Sequence, residues 1–140
     1  MIRVTRRYRF AASHRLNSPA FTEDQNRELY GKCNNPFGHG HDYVLDVTAA
    51  GPVQPDSGQA VHIPTLDRLV SERVLRDFDH RYFNADLPEF QALVATSENI
   101  MRVIEDRLTA HWSEVFPDGG PRLEGIKLRE TKRNFFELKP

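Results

Sequence analysis

The 140-residue chain contains a single cysteine, Cys33. One thiol excludes an intramolecular disulfide framework and fits a reducing compartment, so Cys33 needs another explanation. Neither sign of charge is in excess, since 19 Lys and Arg stand against 20 Asp and Glu for a formal net charge of −1. That balance offers no overall attraction to nucleic acid or to an anionic membrane, and any anion site has to be local. Long apolar runs are also missing. The opening stretch MIRVTRRYRF alternates charged and apolar residues, unlike the continuous apolar core of a signal peptide or a membrane span. A cytoplasmic enzyme or binding module is the expectation. With 39% hydrophobic residues there is material for one packed core, and one domain over residues 1–140 is expected.

The patterning that is present predicts an α+β domain. Ile2, Val4, Tyr8, Phe10 and Ala12 alternate with Arg and Thr, which predicts a strand that carries His14 near its end. A polar excursion from Leu16 to Lys32 follows, with a short helical turn around Glu23 to Leu29. Alternation returns from His39 to Ala49, is closed by Gly51, Pro52, Pro55 and Gly58, and leads to a short third strand at Gln59 to Ile63. Pro64 and Thr65 open a helix to Phe78, with Leu66, Leu69, Val70 and Val74 on one face. A second helix spans Ser97 to Val115, with Ile100, Val103, Ile104, Leu108 and Trp112 at helical spacing. The last strand region is Leu123 to Leu138. This order predicts a four-stranded antiparallel sheet with two helices on one face.

Three histidines carry the first chemical signal. His39 and His41 flank Gly40, and residues two apart on a strand project from the same face. His14, at the end of the preceding strand, joins them if the two strands pair antiparallel. Three imidazoles with no second cysteine match the open ligand set of catalytic zinc, whereas structural zinc takes four protein ligands. An isolated H-x-H is more often a pair of solvated imidazoles, and His62 and His111 keep that ordinary reading. Cys33 raises His39 and His41 above it, because the turn-forming Lys32-Cys33-Asn34-Asn35-Pro36 segment can hold a thiol close to the metal. A nearby zinc and Lys32 would favour the thiolate. Asp79 beside His80 could tune an imidazole for proton transfer near neutral pH. Thr96 and Ser97 read first as a helix N-cap that could also meet a ligand. Glu130, between apolar strand positions, needs a partner from the protein or a ligand.

Two blocks, Phe10-Ala11-Ala12-Ser13-His14-Arg15-Leu16 and Leu29-Tyr30-Gly31-Lys32-Cys33-Asn34-Asn35-Pro36-Phe37-Gly38-His39-Gly40-His41, resemble the 6-pyruvoyltetrahydropterin synthase family. Asp79-His80, Thr96-Ser97-Glu98-Asn99 and Glu130-Thr131 fall in the family's order, so the resemblance spans nearly the whole chain. It implies zinc (Zn2+) on His14, His39 and His41, a catalytic base at Cys33, and a proton relay at Asp79 and His80. It also implies a pterin anchor at Glu130 helped by Thr96 and Ser97, since a carboxylate accepts the two parallel donors of a pterin's amino-pyrimidinone edge bidentately. The implied fold is the tunnelling fold (T-fold), assembled as a homohexamer of two trimers with active sites at subunit interfaces. Asp79 and His80 would then face the Cys33 and zinc of a neighbouring chain. Arg7, Arg9 and Arg15 are candidates for holding a triphosphate, with a solvated strand face as the alternative.

The implied reaction converts 7,8-dihydroneopterin triphosphate to 6-pyruvoyltetrahydropterin with loss of triphosphate and without an external redox cofactor, which makes the enzyme a carbon–oxygen lyase. The nearest alternative is 6-carboxytetrahydropterin synthase of queuosine biosynthesis, a branch that usually has a shorter gap between the cysteine and H-G-H. Here five residues intervene between Cys33 and His39, which resembles the pyruvoyl-forming branch that serves tetrahydrobiopterin biosynthesis. A folate-linked branch tends to carry glutamate at the Cys33 position. A non-catalytic zinc or pterin-binding module is the alternative of a different class. The chain departs from the family pattern at Ala11-Ala12, at Phe37 near the metal, and at Arg133-Asn134-Phe135-Phe136.

Overall fold

Strand β1 (Ile2–His14) and strand β2 (His39–Gly51) pair antiparallel along their full lengths. Their alternation places Phe10, Ala12 and His14 of β1, and Tyr43, Leu45, Val47 and Ala49 of β2, on the buried face. The computed structural model describes residues 1–140. Strand β4 (Arg122–Arg129) adds antiparallel to β2, and strand β5 (Phe135–Leu138) adds antiparallel to β4. On the other side β1 takes a two-residue strand, β3 (Arg81–Tyr82), in parallel, which gives a five-stranded sheet of order β3-β1-β2-β4-β5.

The sheet therefore departs from the expected four antiparallel strands in three ways, the first being that the Leu123 to Leu138 region folds as two strands, β4 and β5. Gln59 to Ile63 forms no strand; Gln59 instead accepts a turn hydrogen bond from the Gln54 N–H at 2.9 Å. Ala60 and Val61 are buried there without a strand partner. The fifth strand arises at a loop, where the His80 N–H donates to the Ala11 carbonyl across 2.6 Å and docks the next two residues onto β1.

Helix α1 (Glu23–Tyr30) is started by a capping box in which Thr22 and Gln25 satisfy each other's backbone N–H groups. A helical segment opens as α2 (Ile63–Val70) with Pro64 in its first turn. It widens into a π-helical turn at Ser71–Leu75 and closes as α3 (Arg76–Phe78). A short helix α4 (Phe83–Asp86) follows, and α5 (Ser97–Val115) has the bounds read from the sequence, with the Thr96 hydroxyl accepting from the Asn99 N–H at 3.2 Å. Leu66, Leu69 and Val70 of α2 and Ile100, Ile104 and Leu108 of α5 meet the buried face of the sheet in one core.

Behind the end of the sheet that carries His14, the core is aromatic. Phe10 stacks on Tyr43 with centroids 4.9 Å apart, Phe78 meets Phe83 edge-on at 5.2 Å, and Phe83 stacks on Phe90 at 5.6 Å. Such pairs add about 0.5–1.5 kcal/mol each beyond the area they bury, so the histidines stand on a rigid backing. The opposite face of the sheet carries polar pairs, including Thr5 with Thr48 at 2.7 Å and Arg7 forked onto Asp46 at 2.8 and 2.9 Å. No helix is long and apolar enough to cross a membrane.

Candidate active site

The register of the first two strands builds the histidine cluster. Ala12 lies opposite His41 and His14 opposite His39, so the three imidazoles project from one face at the end of a single ladder. Gly38 delivers His39 to this place at φ 73°, where an added Cβ would lie 3.0 Å from both the His14 carbonyl and the Tyr82 ring. Ring centroids are 4.7 Å apart for His14 and His39, 5.1 Å for His14 and His41, and 4.7 Å for His39 and His41.

His14 is buried, and its Nδ1 lies 2.7 Å from the Ala95 carbonyl. A carbonyl can only accept, so Nδ1 carries the proton and Nε2 presents a lone pair to the cluster. Burial, reinforced by His39 and His41, lowers the His14 pKa to about 4 against the opposing Ala95 bond. His39 is lowered in the same way by burial and by His41. Neutral imidazole is the form that binds a metal.

Glu130 completes the cluster. It lies just past the end of β4 rather than between strand positions as the sequence pattern implied, with its N–H donating to the Asn134 carbonyl at 3.1 Å. Its Oε2 accepts from the Ser97 hydroxyl at 2.7 Å, while Oε1 lies 3.0 Å from His41 Nε2 and 3.7 Å from His14 Nε2. The His41 imidazole, helped by Ser97, holds the Glu130 carboxyl down to about 2 against the opposing effect of burial.

These residues fit a metal ion. The ligand atoms of His14, His39, His41 and Glu130 all lie within 4.8 Å of one another, and the Nε2 atoms of His14 and His39 are 3.1 Å apart. Nitrogens on one tetrahedral zinc, at bond lengths of about 2.0–2.1 Å, stand roughly 3.3 Å apart. His41 Nε2 is buried without a hydrogen-bond partner, because Glu130 Oε1 lies close but off the axis along which a ring N–H would donate. A cation bound there would satisfy that nitrogen. The cluster can therefore hold a metal ion.

Cys33 sits partly buried in a 3-10 turn, Gly31–Asn34, whose backbone ties back to β1 through Leu16 N–H donating to the Cys33 carbonyl at 2.8 Å. Buried Asn34 braces the same turn, its amide donating to the Leu16 carbonyl at 2.7 Å. Burial and the Glu130 carboxylate push the Cys33 thiol up, opposite to the thiolate bias expected from zinc and Lys32. Without a cation in the cluster, the local field favours the protonated thiol.

Asp79 and His80 do touch: Asp79 Oδ1 lies 3.1 Å from His80 Nδ1 and also accepts from the Ala11 N–H at 2.9 Å. His80 adopts φ 60°, the left-handed region that non-glycine residues seldom occupy. His80 is exposed and Asp79 half-buried, and neither makes a hydrogen bond to Cys33 or the three imidazoles, but His80 and His41 border one open cavity of about 580 Å³ along with Ser13, Gly40 and Arg81. Thr96 does not approach the cluster through a hydrogen bond; its hydroxyl is used in capping α5. Of the candidate phosphate-binding arginines, Arg7 is committed to Asp46, and Arg15 Nε donates to the Asn34 carbonyl at 3.2 Å.

Residues 3–140 match the family model described as 6-pyruvoyl tetrahydropterin synthase. The chain belongs to the 6-pyruvoyl tetrahydropterin synthase family, a family of enzymes. The 6-pyruvoyl tetrahydrobiopterin synthase of Homo sapiens is 38% identical over 136 residues, covering 97% of this chain and 90% of the human protein. The structure of Caenorhabditis elegans 6-pyruvoyl tetrahydropterin synthase superposes with a TM-score of 0.89 at 34% identity, covering 99% of this chain and 95% of that one. The 6-carboxy-5,6,7,8-tetrahydropterin synthase of Bacillus subtilis is more distant, at 28% identity over 118 residues, 81% of this chain and 75% of that protein. The α+β architecture expected from the sequence is thus the fold of this family.

Tyr43 was not singled out by sequence reasoning, yet its buried hydroxyl has no partner and its ring lies 5.5 Å from that of His41. The signal was present, because Tyr43 continues the same strand face two residues beyond His41. Ala95 left no signal, since it acts through its backbone carbonyl.

Proposed function

We propose that the chain is a zinc-dependent lyase that converts 7,8-dihydroneopterin triphosphate to 6-pyruvoyltetrahydropterin with loss of triphosphate. The observation that carries this reading is the convergence of His14, His39, His41 and Glu130 within 4.8 Å in a member of this family. Zinc held by the three histidines would supply Lewis-acid polarisation of the substrate's side-chain oxygens.

The chain's own groups account for binding and proton movement. Glu130 accepts the paired N–H donors of the pterin edge, and Ser97 orients its carboxylate from the start of α5. Cys33 takes the proton from the side-chain carbon; positive charge held by the imidazoles offsets the burial that otherwise keeps the thiol protonated. His80 returns a proton to the pterin, with Asp79 fixing its ring through a carboxylate that is itself pinned to β1. The outer face of the sheet, free of helices, supports assembly of several copies into a homohexamer, where His80 of one chain can meet the substrate of another. A cytoplasmic location fits the single free thiol.

Incubating zinc-loaded protein with 7,8-dihydroneopterin triphosphate and weighing the products tests the reading. Release of triphosphate with a 6-pyruvoyl product supports it. Acetaldehyde with a 6-carboxy product would instead assign the 6-carboxytetrahydropterin synthase reaction for which the Bacillus subtilis relative is named, and no turnover would leave a pterin-binding module.

A further inference from the structure

The end of β1 is held beyond the point where its ladders stop. The antiparallel ladder ends at His14 opposite His39, and the short parallel ladder ends at Ser13 opposite Tyr82. Arg15 and Leu16 follow with no strand beside them. On the side of β3 the chain has already turned into α4, and the Asn84 side chain takes over there. Its Oδ1 accepts from the Arg15 N–H at 2.8 Å, and its Nδ2 donates to the Arg15 carbonyl at 2.8 Å. One carboxamide thus offers Arg15 both the acceptor and the donor that a neighbouring strand would have offered. Asn84 is itself anchored, because Phe83 beside it is fully buried against Tyr43 and Phe78, and its own carbonyl accepts from the Gln91 amide at 3.0 Å.

On their other side the same two residues hold the turn that carries Cys33. The Leu16 N–H donates to the Cys33 carbonyl at 2.8 Å, the Asn34 amide donates to the Leu16 carbonyl at 2.7 Å, and Arg15 Nε donates to the Asn34 carbonyl at 3.2 Å. The turn therefore stands where Arg15 and Leu16 put it. We propose that Asn84 is a positioning residue for Cys33, acting through the Arg15 backbone that it clamps. This inference rests on the reading of Cys33 as the base. His14 is held independently, by the Ala95 carbonyl and by its pairing with His39. Loss of the Asn84 clamp thus lets the Cys33 turn drift while the histidine cluster keeps its place. A reacting group misplaced by about 1 Å can cost about 10²-fold in rate.

The test compares wild type, N84A and N84D as zinc-loaded full chains. N84D keeps the shape of the side chain and the acceptor for the Arg15 N–H, but it turns an oxygen rather than an N–H toward the Arg15 carbonyl. It breaks half of the clamp and keeps the test decisive if N84A folds poorly. Both variants keep one zinc per chain and a KM close to that of wild type, while kcat falls by about 10- to 100-fold. Iodoacetamide alkylates Cys33 several-fold faster in both, because a thiol that is partly buried in wild type is no longer held there. In a C33A background N84A costs no further turnover, since a residue that acts through Cys33 has nothing left to position. An undiminished loss of kcat in the C33A background, or alkylation at the wild-type rate in folded N84D, would overturn the proposal. A wild-type chain without turnover would overturn the reading of Cys33 as the base, and the alkylation rates, which need no substrate, would still decide whether Asn84 holds the turn.

Discussion

His14 donates its Nδ1–H to the carbonyl of Ala95 across 2.7 Å, and this bond decides which nitrogen of the ring faces His39. A residue before helix α5 thereby sets the tautomer of a candidate metal ligand on β1, two elements that the sequence separates by 81 positions. His39, by contrast, makes no such bond to the backbone. The two histidines should fail differently when removed.

His14→Ala and His39→Ala are both expected to abolish tight zinc binding. Only His14→Ala also leaves a buried carbonyl without a donor, at a cost of about 1–3 kcal/mol in stability. Urea unfolding of the metal-free proteins checks this: a clear loss for His14→Ala and a small one for His39→Ala. Equal losses would mean that the Ala95 bond has no structural weight.

Cys33→Ala should keep one zinc per chain and lose turnover by about 10²–10⁴-fold, the usual contribution of a positioned acid or base. Metal analysis and single-turnover rates on the same preparation separate the two effects. A variant with zinc and full activity would remove Cys33 from the proton chemistry.

Gly38→Ala places a Cβ 3.0 Å from the His14 carbonyl and forces φ 73° on a residue with a side chain. The expected cost is about 1–3 kcal/mol of backbone strain, together with weaker zinc binding because the residue delivers His39. Chelator competition measures the second effect, and zinc affinity equal to that of wild type would show that His39 finds its place without this turn.

Arg107 forks onto Glu89 at 2.7 and 3.0 Å and reaches Asp77 at 2.6 Å, which ties α5 to the end of the α2–α3 segment. The Arg107 hydrogen bond holds the Glu89 carboxyl below its ordinary value. Because the folded-state value is lowered, the stabilisation is present above the ordinary glutamate pKa and is lost as pH falls through the folded value. Glu89→Gln should thus be less stable than wild type by about 1–3 kcal/mol near pH 7, and the gap should close as pH falls below the ordinary glutamate range and through the lowered folded-state value. A gap that does not change with pH would assign the loss to packing.

Much of this site was legible in the sequence because it is made by strand alternation. Once Phe10, Ala12 and His14 share a face and His39, His41 and Tyr43 share another, antiparallel pairing alone brings the three imidazoles together. Helix α5 was equally readable from its apolar spacing and its Thr96 cap. What was not legible depends on groups without side-chain signals or on distant register. Ala60 and Val61 resemble a strand because they are buried, but no strand lies beside them to pair. The two residues of β3 pair only because a left-handed His80 turns its N–H onto Ala11. Glu130 was read as a residue in need of a partner; that His41 and Ser97 stand beside it follows from where β4 ends, which no local pattern records.

The most direct test of the account is turnover of 7,8-dihydroneopterin triphosphate as zinc is returned to metal-stripped protein. No triphosphate release is expected without metal, and activity should rise linearly and break at one zinc per chain. Full activity in the stripped protein, or no recovery at one zinc per chain, would contradict a catalytic centre built on His14, His39 and His41.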